Sequence, residues 1–154
     1  MARSWNPVET RLLAEWLETA YPGKRNVTRA RVGAIPAEIS AQNLSYSELR
    51  LLGVWRRWVD AIVWDRDAIV LVEASIFPQP GAISLLELYM RLFPMTPEFR
   101  VDAGKPLKGV LVYAVADPMI ARMAGERGLS VSIYTPAWVR DYVATAAQKM
   151  GTPY

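Results

Sequence analysis

The sequence predicts an α/β fold, a mixed central sheet of four to five strands flanked by helices. Two observations carry that expectation. Apolar runs rich in Val, Ile and Trp at 52–64 and 69–76 flank the turn Asp65-Arg66-Asp67, which reads as an antiparallel hairpin. From residue 109 onward, short apolar strands alternate with helix-length segments opening on Asp117-Pro118 and Thr135-Pro136. Strand–helix alternation favours parallel pairing, so a hairpin followed by alternation gives a mixed sheet with helices packed on both faces.

The elements follow in order. Asn6-Pro7 opens a helix whose apolar stripe is Leu12, Leu13, Trp16, Leu17 and Ala20, and Tyr21-Pro22-Gly23 ends it. Val27 to Ile35 reads as a strand stopped by Pro36. Ser40 to Asn43 reads as loop, and Ser45 to Arg50 as a helical turn. Leu52 to Trp64 and Ile69 to Ile76 are the hairpin strands. Pro78-Gln79-Pro80-Gly81 breaks the chain before an apolar helix, Ile83 to Phe93. Pro94 to Pro106 reads as a loop with three prolines. Gly109 to Ala116 is a central strand, Pro118 to Arg127 a helix stopped by Gly128, Leu129 to Tyr134 a strand, and a last helix runs to about Met150.

The chain of 154 residues is expected to form one domain, 1–154. With 52% hydrophobic and 21% charged residues it is not a disordered composition. It has no cysteine and no histidine, which excludes thiol enzymes, His-dependent triads, zinc fingers and imidazole acid–base chemistry. Catalysis, if there is any, must run on carboxylates, Lys, Arg, Tyr, Ser or a metal held by oxygen. The net charge of +3 permits DNA as a partner without requiring it. No apolar run reaches the roughly 20 residues of a membrane span. The opening Met1-Ala2-Arg3-Ser4-Trp5-Asn6-Pro7 lacks the apolar core of a signal peptide, so the expected location is cytoplasmic.

The chemistry-bearing segment is the hairpin. Side chains alternate faces along a strand, so Asp60 is expected to share a face with Arg56, Trp58 and Ile62, and Glu73 with Leu71 and Ser75. If Arg66-Asp67 is a two-residue loop, Asp60 falls opposite Glu73, with Cβ atoms about 5 Å apart. Two carboxylates so placed repel unless a proton or cation intervenes, and a Mg²⁺-like ion with oxygen ligands is the natural intervener. A loop one residue longer sets the two acids on different faces.

This stretch resembles the core of the PD-(D/E)XK nuclease family, which carries an Asp on one strand, (D/E)-x-K on the next, an apolar helix after it, and often a Glu on the first helix. Asp60 matches the Asp, Glu73-Ala74-Ser75 aligns with E-x-K, and Glu9 matches the helix Glu. The resemblance covers residues 8–135 in layout and implies a restriction-endonuclease-like fold. It also implies a divalent metal, Mg²⁺, on Glu9, Asp60 and Glu73 if the site is active. The family lysine, which helps activate the attacking water, is Ser75 here, and the following helix has only Arg91. The expected function is therefore a catalytically impaired nuclease-fold domain, a structural or binding part of a DNA-handling or viral assembly such as a phage head or tail. The virion is its location if it is of phage origin. The alternatives are an active Mg²⁺-dependent DNA nuclease and a protein-interaction domain without nucleic acid. Protein partners or a homo-oligomer are expected, and no membrane.

Plainer readings stand beside these. Asp60 and Glu73 can pair with Arg56 or Arg57 and do no chemistry. Glu9 suits a helix start through the dipole. Trp16, Trp55, Trp58 and Trp64 are expected in the core, whereas Trp5 and Trp138 are candidates for contacts. Lys24, Arg25, Arg29 and Arg31 form the densest basic group, with Arg29 and Arg31 on one strand face. They read as a nucleic-acid contact or as a solvated face.

Overall fold

A computed structural model describes residues 6–51 and 56–151. Helix α1 (Pro7–Ala20) leads into strand β1 (Asn26–Val32) and two short helices, α2 (Ala37–Ser40) and α3 (Tyr46–Leu51). The hairpin strands β2 (Arg57–Trp64) and β3 (Ile69–Ser75) follow, then helix α4 (Pro80–Leu92). Strand β4 (Leu107–Tyr113), helix α5 (Pro118–Glu126), strand β5 (Ser130–Ile133) and helix α6 (Ala137–Met150) complete the chain. The five strands lie in sequence order, antiparallel from β1 to β3 and parallel from β3 to β5. This is the mixed α/β sheet that the hairpin and the alternation predict.

Local chemistry starts and stops these elements. Asn6 caps α1, its side-chain oxygen accepting from the Val8 N–H, and Asp117 caps α5 by accepting from Met119 and Ile120. Ser45 and Glu48 exchange side-chain and backbone bonds in a capping box ahead of α3. Thr135 is not a cap. Its hydroxyl donates to the Ala114 carbonyl, and α6 starts after Pro136 without a side-chain bond. Strand β1 ends at Val32, short of Ile35, because Gly33 turns the chain at φ +102° and gives its N–H to the Thr96 hydroxyl instead of a ladder. The segment read as a proline loop contains two 3₁₀ turns, Phe93–Met95 and Pro97–Asp102. The first part of the predicted strand at 52–64, with Trp55, lies outside the described residues, as does Trp5.

One core lies between the sheet and α4 with α5, built on Val59, Ile62, Leu71, Leu86, Phe93 and Leu111. A second, with Trp16, Ala61, Val63, Val72 and Val112, lies under α1. A third joins Leu12, Ile76, Ala114 and Val139, tying α1 to α6. Gly109 lets the first core close, since a Cβ there would come 2.7 Å from the Leu129 Cδ2. Trp138 belongs to the α1–α6 contact, its indole donating to Glu15 and its ring under Arg11. These two partners, Trp138 first, hold the Glu15 carboxyl below its usual pKa.

Strand alternation slips at one place. Val59 and Ile62 are an odd number apart, yet both enter the first core. Trp58 therefore faces away from Ile62, and Asp60, Trp58 and Ile62 do not form the common face that strict alternation predicts. The ladder runs in one register on both sides of the slip, and position 29 falls across from Asp60. Arg29 there has φ +52°, the left-handed region that a non-glycine residue rarely enters. Both strands slip together, so pairing survives while the faces exchange.

The 3₁₀ segment is anchored by Asp102, whose carboxylate accepts from the Trp64 indole at 2.9 Å and pairs with Lys105 at 2.7 Å. The Lys105 and Trp64 hydrogen bonds hold its pKa below the usual carboxylate value. A lowered folded pKa contributes stability above the unfolded value, about 3.9, and that contribution is lost as pH falls through the folded value. Asp102→Asn is expected to cost about 1–2 kcal/mol at neutral pH. The gap between variant and parent in urea melts should close as pH drops below about 4. A gap that persists unchanged into that acid range would assign the loss to something other than the ionised carboxylate.

Candidate functional site

The hairpin loop has two residues. The Asp65 N–H donates to the Ala68 carbonyl, and the ladder pairs Trp64 with Ile69 through Ala61 with Val72. Continued one step, that register sets position 60 opposite position 73, as the sequence predicts for the shorter loop. The Asp60 side chain does not stay beside its own strand. Its Oδ2 reaches across and accepts from the backbone N–H of Ala74 at 2.9 Å.

A cavity of about 370 Å³ opens at the carboxyl ends of the two central parallel strands. The end of β3 contributes Glu73, Ala74 and Ser75, and its neighbour β4 contributes Tyr113, the partner of Ser75 in the ladder. The start of α1 contributes Asn6 and Glu9. The start of α4 contributes Gln79, Gly81, Ala82 and Leu85. The N-terminal ends of α1 and α4 thus border the cavity that holds the two carboxylates. Glu73 is 3% and Ser75 4% exposed, so both acid and hydroxyl are desolvated by the fold.

The structure therefore brings Glu9, Glu73 and Ser75 to one cavity, with Asp60 beside it on the Ala74 N–H. Ser75 does not take over the work of an ammonium. Its hydroxyl donates to the Phe77 carbonyl at 2.7 Å and closes the turn out of β3. Arg56 extends to Glu98 at 2.7 Å. Among the described residues that line the cavity, none is Lys or Arg. Also among the described residues, no three acidic side chains stand close enough together to hold a metal ion. The side chains as arranged do not fit the three-carboxylate metal centre that the nuclease resemblance implies.

Gln79 and Tyr113 line the cavity and were not singled out by the sequence reading. The signal for them is general. In open α/β sheets, crevices form outside the carboxyl ends of parallel strands, which here are the ends of β3 and β4. Arg29 and Arg31 lie on β1 and Lys24 and Arg25 in the turn before it, all exposed. Lys24 pairs with Asp65 at 3.4 Å, and Arg25 lies over the Trp64 ring at 3.9 Å. Arg31 and Arg29 lie over Trp58 at 4.6 and 5.8 Å. Trp58 itself is 42% exposed, against the expectation that it fills the core, because the slip at Asp60 turns it out.

No family model matches the chain, and no curated protein matches it. Among solved structures, a repair endonuclease from Pyrococcus abyssi superposes with a TM-score of 0.50 at 15% identity, covering 88% of this chain and 50% of that one. A protein of unknown function superposes with a TM-score of 0.46 at 10% identity, covering 79% of this chain and 52% of the other. The chain spans about half the length of each. The first likeness establishes the fold: a nuclease-like α/β architecture with a mixed five-stranded sheet.

Proposed function

We propose that the chain is a nuclease-fold domain that binds DNA and does not cut it. The observation that carries this reading is the cavity: two carboxylates, a serine tied into a turn, and no cationic side chain among its described lining residues. Phosphodiester cleavage in such a fold needs a cation or metal to stabilise the developing charge, and fold alone does not supply one. The exposed arginines of β1 support the binding half, since phosphate contacts from Lys and Arg dominate DNA affinity. Such a domain suits a DNA-handling assembly, viral or cellular, in which the bound strand must stay intact.

The test is incubation of supercoiled plasmid with the full chain and Mg²⁺ or Mn²⁺. The plasmid is expected to remain supercoiled. Nicking that disappears in Glu73→Gln would overturn the non-cutting reading. Ser75→Lys adds an arm, because it returns the missing ammonium. Metal-dependent nicking by that variant alone would trace the loss of catalysis to the lysine. Continued inactivity would trace it to the disposition of the acids as well.

A further inference from the structure

We infer that Trp58, flanked by Arg29 and Arg31, is a stacking platform for single-stranded DNA on the β1–β2 edge, an inference that rests on the DNA-binding reading above. Trp normally spends its large apolar surface in the core. Here it stands 42% exposed on β2, beside the exposed Arg29 and Arg31 of β1. Arg31 is its direct cross-strand partner, and Arg29 is the diagonal one. Both guanidiniums lie over the ring, at 4.6 and 5.8 Å. Among the described residues neither guanidinium is in an ion pair, whereas the nearby Lys24 and Arg56 are paired with Asp65 and Glu98. Two uncompensated cations resting on a half-exposed indole match a phosphate chain that carries unpaired bases, since the phosphates draw the guanidiniums outward and leave the ring to a base.

The backbone points the same way. Arg29 is held at φ +52°, a conformation that costs a non-glycine residue of order 1 kcal/mol or more and gathers at ligand clamps. The same slip turns Trp58 outward and sets Arg29 over its ring. A duplex keeps its bases stacked and offers phosphates only, so it can use the arginines but not the indole. A single strand uses both, because every base has a face that stacks on an aromatic ring.

The experiment is fluorescence anisotropy of a labelled oligothymidylate, and of a duplex of the same length, titrated with the full chain. The single strand is expected to bind more tightly. Trp58→Ala should weaken it by about ten- to a hundredfold, while Trp58→Phe, which keeps a ring, should retain most of the affinity. Arg31→Gln should lower the slope of log K against log salt by about 0.7. Unchanged thermal melts of the variants by circular dichroism would assign these losses to binding. Equal affinity of Trp58→Ala and parent, or a duplex bound as tightly as the single strand, would overturn the platform and leave the non-cutting reading standing. Displacement of the oligonucleotide by polyglutamate as readily as by unlabelled oligothymidylate would overturn it too, by reducing the surface to charge. Plasmid nicking would sink the non-cutting reading without touching the platform.

Discussion

Phe93→Ala is expected to destabilise the fold by about 3–5 kcal/mol, the range for removing a fully buried phenyl ring. Phe93 is 0% exposed at the end of α4 and stacks on Phe99 with centroids 5.2 Å apart and planes 10° apart. Phe99 in turn leans on Trp64 at 5.7 Å, and Trp64 carries Arg25 on its face. The aromatic series runs from the first core to the basic edge, and Asp102 pins it from the side through the Trp64 indole. Removing its inner member leaves a cavity under the 3₁₀ segment and frees Phe99 and Trp64 to shift. Urea denaturation should report the stability loss, and near-ultraviolet circular dichroism a loosened Trp64. Phe93→Leu fills most of the volume and should recover more than half of the loss. A Phe93→Ala protein within about 1 kcal/mol of the parent would mean that the 3₁₀ segment collapses onto the gap and does not depend on that ring.

The parts of this architecture that were legible in the sequence are those governed by local chemistry. A two-residue turn between apolar runs sets the hairpin register, because a slip of one would exchange the side chains that fill the two cores. Asn6 and Asp117 announce helices through the side-chain oxygens that satisfy the first N–H groups. Glu9 and Glu73 were legible as candidates, and both line the cavity. The rest depends on tertiary context. The slip at Asp60 and Arg29 leaves no trace in a sequence that carries Arg, and not Gly, at the left-handed position. Trp58 has the composition of a core residue and is exposed because of that slip. Gln79 looks like punctuation between two prolines, and Tyr113 like the end of an apolar strand. They reach one cavity only because β3, β4 and α4 end at the same edge of the sheet.

Asp60→Ala is expected to cost about 2–3 kcal/mol, because it removes a charged acceptor from the N–H of Ala74, a residue 3% exposed. The effect follows from position. Asp60 sits where β1 and β2 exchange faces, at the end of the β2–β3 ladder, and its carboxylate ties β3 to β2 one step beyond the last regular pair. Asp60→Asn keeps an acceptor oxygen at the same reach and should recover a good part of the stability. Amide exchange supplies the local readout, since the Ala74 N–H should lose protection in the alanine variant and keep much of it in the asparagine one. Glu73 and Ser75 flank Ala74, so a released β3 end would also disturb the wall of the cavity. If Asp60→Ala matches the parent in both stability and exchange, the bond to Ala74 carries no weight and Asp60 is available for other chemistry. A loss largely reversed by asparagine makes this acid a structural clasp between two strands, accepting from Ala74 where the β2–β3 ladder ends.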